Sequence, residues 1–161
     1  MTIITTDKWD EVINIALSNI PKELHKYIQT DWIIGPSSGP KEIDKYERDI
    51  SRTPGASFNY LLEDKRNCIY LPIDLEDNAY LTPEVVIHEI GHIIHNELDW
   101  VDTRKIINPV CDYAAQNNWE LFACAFTQWT MPINQWTTSK SNPEIPIDSN
   151  TRQFFENLRY T

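Results

Sequence analysis

Residues 82–100 read TPEVVIHEIGHIIHNELDW and hold three of the chain's four histidines, His88, His92 and His95, with Glu89 between the first two. Thr82 is a good N-cap, Pro83 suits the first helical position and Glu84 favours the positive end of the helix dipole, so the stretch is predicted to be helical. His88 and His92 are four residues apart and then lie one turn apart on the same face. Two imidazoles so placed can both reach one Zn²⁺ at about 2.0–2.1 Å. Glu89 points about 100° further round. From there its carboxylate reaches a metal-bound water rather than the ion, and would take its proton as that water attacks a carbonyl carbon.

A chance H-E-x-x-H should occur in roughly one chain of this length in a few hundred. The surroundings strengthen the metal reading. Val85, Val86, Ile87, Ile90, Ile93 and Ile94 make the rest of the helix apolar, and a polar His/Glu/His set is costly there unless something satisfies it. Gly91, between the two histidines, costs a helix interior about 1 kcal/mol against Ala. It is expected to allow close approach of another backbone; simple tolerance is the alternative.

With 161 residues, 41% of them hydrophobic, the chain suits a single globular domain with a core of its own. The expected motif-bearing core spans about 53–130, with a helix and strand in 1–34 before it and a Pro-rich connection and helix in 131–161 after it. The formal charge of −10 opposes nucleic-acid and anionic-membrane partners. Cys68, Cys111 and Cys124 are too sparse for a disulfide framework and read as reduced thiols. No apolar run approaches membrane-spanning length. The N-terminal MTIITTDKWDEV has no signal-peptide pattern, so the expectation is a cytoplasmic protein, or a secreted one that is leaderless or already processed.

Along the chain, apolar residues at Trp9, Val12, Ile13, Ala16, Leu17 and Ile20 predict a helix capped by Asp7. DWIIGP reads as a short strand. Residues 35–55 are rich in Gly, Pro, Ser and charge and read as a surface loop. ASFNYLL and NCIYLPI flank the polar turn EDKR and read as two paired strands. NNWELFACAFTQW is a second strong helix with Asn118 as its cap, and SNTRQFFENLR a short amphipathic one. Helix, then strands, then helices imply an α+β fold with a small mixed sheet.

A hydrolytic zinc site needs three protein ligands and an open position. His95 lies about 10 Å along the axis from His88, at 1.5 Å per residue, so three histidines of one straight helix cannot close on one ion. A position beside the ligands or at the surface is expected for it. Glu120, 28 residues after His92, opens the second helix among Trp119, Leu121, Phe122, Ala123 and Phe126. A carboxylate on that apolar face asks for a partner. Tyr113, seven residues earlier, could donate to an oxyanion if it faces the same point; alone it reads as a core or rim aromatic.

HEIGH followed by YAAQNNWELFACAF resembles the anthrax lethal factor-like zinc endopeptidases, which include the Pro-Pro endopeptidases of clostridia. The matching residues are His88, Glu89, Gly91, His92, Tyr113, Glu120, Phe122, Ala123 and Phe126. The resemblance implies a zincin-like domain with an active-site helix and a ligand-bearing second helix. It implies one Zn²⁺ per chain on His88, His92 and Glu120, Glu89 as general base and Tyr113 as oxyanion donor. The implied substrate is an extended peptide or protein segment, cleaved near proline. Residues 53–72 look like the family's edge strand and its neighbour, with Ala56, Ser57 and Phe58 binding the substrate main chain. Two departures bear on the ligands' support: Cys124 stands where relatives often carry an acidic residue, and His95 where they tend to have Asp. A catalytically silent zincin-fold binding or regulatory module is the rival expectation.

Overall fold

The computed structural model describes residues 2–3, 6–35, 57–60, 67–75, 81–136 and 145–161. The stretch quoted above forms helix α2, Pro83–Glu97, and the Thr82 hydroxyl accepts from the Val85 N–H at 3.4 Å as its cap. Every residue from Pro83 to Ile87 and from Glu89 to His95 is buried. A helix apolar on nearly all sides has to be enclosed, and α2 is: α1 (Thr6–Asn19), α3 (Asn118–Thr130) and strands of the sheet all pack on it. One continuous buried cluster runs from Trp9 of α1 through Ile69, Ile90 and Phe126 to Leu158.

The sheet has the order β2-β4-β3. Strand β4, Asn67–Pro72, is buried at every position. Strand β2, Thr30–Gly35, runs parallel to it, and β3, Ser57–Tyr60, antiparallel, with Phe58 opposite Ile69. The two paired strands and the mixed sheet expected from the sequence are therefore present. The fold is α+β, with β3 at one edge of the described sheet and in contact with α2. A two-residue pairing of β1 (Thr2–Ile3) with β5 (Asp74–Leu75) adds to this and had no signal in the sequence. Ala56 and most of the 35–55 loop lie outside the described residues.

Polar bonds fix α2 against the sheet. Asn67, at the start of β4, donates to Gln29 O at 3.0 Å and Glu97 Oε1 at 3.1 Å, and accepts from Asn96 Nδ2 at 2.6 Å. The Trp9 indole donates to Pro72 O at 2.9 Å and ties α1 to the other end of β4.

Two caps differ from expectation. Helix α1 starts at Thr6, so Asp7 lies in its first turn, where its charge meets the positive end of the dipole. Helix α3 is capped by Asn117, whose Oδ1 accepts from Glu120 N at 2.9 Å. Asn118 Oδ1 accepts instead from the Thr103 N–H and hydroxyl, both at 2.8 Å, because that turn would otherwise be unsatisfied. The final helix α4, Ser149–Arg159, is amphipathic as read, with Phe155 and Leu158 inward and Asp148 as its cap.

Gly91 has the close neighbour its position asked for. A Cβ there would stand 3.1 Å from Ala123 Cα and 3.2 Å from Phe126 Cδ1. The two helices touch, backbone to backbone, at the level of the histidines. Gly91→Val should therefore push α3 away and destabilise the protein by about 1–3 kcal/mol, the usual cost of overpacking. Urea unfolding measures this, and an unchanged midpoint would show that the helices are not in contact.

Candidate metal centre

Because α2 and α3 are in contact at Gly91, the first turn of α3 lies beside the histidine face of α2. Glu120 reaches back from that turn and bridges both rings. Its Oε2 lies 3.2 Å from His88 Nε2 and its Oε1 3.0 Å from His92 Nε2. The rings stand edge to face with centroids 4.9 Å apart. Three side chains that the sequence placed 28 and 32 residues apart thus share one point.

Their electrostatics follow from this geometry. Burial works to raise the Glu120 carboxyl, but the bonds and charges of His88 and His92 outweigh it and hold the group well below the carboxylate range. For His88, burial favours the neutral ring, and the Glu120 carboxylate overrides it, leaving the pKa above its ordinary value. Glu120 is thus held as an anion, the state a cation ligand needs.

Glu89 is buried, with 8% of its surface exposed. Its charge acts on His88, Tyr113 and Cys124, which places it at the centre. Tyr113 stands on the rim, 51% exposed, with its ring centroid 6.1 Å from that of His88. Burial of its hydroxyl end and the neighbouring Glu120 carboxylate push the phenol well above its usual range. It therefore remains a proton-bearing donor at any ordinary pH.

Cys124, one turn after Glu120, belongs to the same cluster. Its Sγ lies 3.9 Å from His88 Nδ1. Donor atoms of His88, Glu120 and Cys124 all fall within 4.8 Å of one another, a group able to hold a metal ion. This three-donor group contains Cys124 and not His92, which joins through the second oxygen of Glu120. The neighbouring Cys111 thiol, together with burial, pushes the Cys124 thiol up. The sequence reading missed Cys111 because no local spacing links it to a residue 13 positions on.

His95 is held by a different set of groups. It is 0% exposed, and its Nε2 pairs with Val101 O at 2.8 Å. The ring stacks on Phe122 at 4.3 Å and 2° and meets Trp100 edge-on at 5.2 Å. Of the two positions expected for it, burial excludes the surface one, and its contacts pin the segment leaving α2 onto α3. The fourth histidine, His25, pairs with Ile20 O and is also remote. Ser57 and Phe58 lie on β3 beside α2, on the edge where an added strand would pair.

Next to the centre, an open cleft of about 680 Å³ is lined by Trp100, Asp102, Arg104, Ala114, Asn117 and Trp119, among others. His88, Glu89, His92, Tyr113, Glu120 and Cys124 do not line it. No family model, curated protein or solved structure matches this chain.

Burial holds the His95 pKa below its ordinary 6.5, and the bond to Val101 only partly offsets this. A folded-state pKa below the unfolded one gives stability that is present above about 6.5 and lost as pH falls through the folded value. His95→Phe keeps the stack on Phe122 and removes the titration. Relative to the wild type, the variant should become steadily more stable between about pH 7.5 and pH 5. Parallel urea-midpoint curves for the two proteins would refute that account.

Proposed function

We propose that the protein is a zinc-dependent endopeptidase acting on extended peptide segments, with a zincin-like arrangement of its α+β fold. The observation that carries this reading is the convergence of His88 Nε2 and His92 Nε2 on the two oxygens of Glu120, at 3.2 and 3.0 Å. Two imidazoles and a carboxylate are a hydrolytic zinc ligand set, and the anionic Glu120 supplies the charge that set requires. Bound zinc would act as a Lewis acid toward the scissile carbonyl and lower the pKa of a water beside it.

The chain's own groups supply the remaining parts. Glu89 is buried beside His88, on which its charge acts, as a general base needs to be. It takes the proton of the attacking water and can pass it to the leaving amine. Tyr113 keeps its hydroxyl proton and stands on the rim, where it donates to the oxygen that becomes negative. The β3 edge offers main-chain bonds to an extended substrate. A preference for proline rests on the sequence resemblance alone.

The test is a combinatorial peptide cleavage profile with equimolar zinc, together with metal analysis. About one zinc per chain and a defined set of cleaved bonds are expected. Glu89→Gln should retain its zinc and lose activity by about 10²–10⁴-fold, the contribution of a positioned proton acceptor. Tyr113→Phe should lower kcat by about 10²–10³-fold with little change in KM, as for loss of one oxyanion donor. Zinc-loaded wild type that leaves the whole library intact would exclude the peptidase and favour a zinc-binding module without catalysis.

A further inference from the structure

The three-ligand reading has no use for Cys124, yet its thiol lies inside the cluster. A core cysteine is ordinarily surrounded by apolar side chains. Cys124 is only partly buried and packs against the apolar core, but its sulfur also lies near His88, Glu120 and Cys111. At 3.9 Å from His88 Nδ1 the contact is too long for a strong hydrogen bond. Cys124 follows Glu120 by one helical turn, so both side chains leave α3 toward α2.

The distances suit a further role. With bonds of about 2.0–2.3 Å, donor atoms on a tetrahedral zinc stand roughly 3.3–3.7 Å apart. Those of His88, Glu120 and Cys124 lie within 4.8 Å. A contraction of about 1 Å brings them to bonding positions, within reach of side-chain rotation alone.

We infer that Cys124 is itself a ligand of the centre, its thiolate binding the ion together with Glu120 and the imidazoles. The inference rests on the metal reading given above and adds a donor to it. On binding, the thiol proton passes to solvent. His88, Glu120 and Cys124 then supply three donors. His92, held on the second oxygen of Glu120, becomes the fourth once the His88 ring turns, since Cys124 faces the His88 Nδ1 and Glu120 its Nε2. Four is the number found in closed, structural zinc sites. Water reaches the ion only when the sulfur leaves or when coordination expands to five. The resting protein is in this sense capped from within, by a side chain of the helix that supplies Glu120. Sulfur also biases the site toward zinc, cobalt and cadmium and away from magnesium and manganese.

Cobalt(II) tests this without reference to activity. Wild type titrated with one equivalent of Co²⁺ should develop a sulfur-to-cobalt charge-transfer band in the near ultraviolet. The band should vanish in Cys124→Ala and Cys124→Ser, and persist in Cys111→Ala and Cys68→Ala. The wild-type spectrum alone is decisive should the Cys124 variants fold poorly. Cobalt bound at one equivalent without a sulfur band overturns the inference and leaves the three-ligand site standing. A band that survives Cys124→Ala and disappears in Cys111→Ala overturns it as well. Failure to bind either cobalt or zinc overturns both this inference and the zinc reading beneath it.

Discussion

At residue 91 a side chain would be crowded. The Ala123 Cα and the Phe126 ring stand where a Cβ would need space, and the other features of the centre depend on that contact. It sets the distance between α2 and α3 at the level of His88 and His92, and so decides that a carboxylate of Glu's length spans the gap. The energetic logic is consistent. A glycine that weakens the helix locally is offset by the burial of two apolar helix faces, at about 25 cal/mol per Å². The polar groups caught between them satisfy one another instead of facing hydrocarbon.

Much of this was legible in the sequence, for identifiable reasons. Helix α2 carried its own start signals and an unbroken apolar character, and Gly91 stood out because it was the wrong residue for a helix interior unless something pressed on it. Strands β3 and β4 were readable from β-branched and aromatic residues on either side of a polar turn. Glu120 was legible as a charge out of place among Trp119, Leu121 and Phe122. Other features were not local and left no trace. The choice between Asn117 and Asn118 as cap depends on the separate demand of Thr103 for an acceptor, which only the fold reveals. The pairing of Cys111 with Cys124 and the two-residue β1–β5 ladder likewise join segments with no common pattern.

The segment between α2 and α3 is held under some strain. Asp99 and Trp100 are both left-handed, each with φ of 54°; for residues other than glycine this costs roughly 1–2 kcal/mol apiece. The surroundings impose it. His95 and Asn118 both engage Val101 O, at 2.8 and 3.0 Å, while the Trp100 ring is held between His95 and Trp119. Reversing the chain so sharply starts the connection close to the α3 terminus and helps return Tyr113 to the rim of the histidine pair. His95, three residues from His92 in sequence, bears on the centre through this geometry.

Because the donors are divided between two helices, a cation that bridges them recognises only the docked chain. An unfolded chain has His88 and Glu120 separated by 32 positions and offers no comparable site. Free energy of binding is then free energy of folding, worth about 2.7 kcal/mol when the free ion exceeds its Kd a hundredfold. The lifetime of the folded protein would thereby follow metal supply. Without such a cation the chain would lack this contribution at the α2–α3 seam, unfold more often and be more readily proteolysed, so that the pool of folded molecules would follow how much metal its surroundings contain.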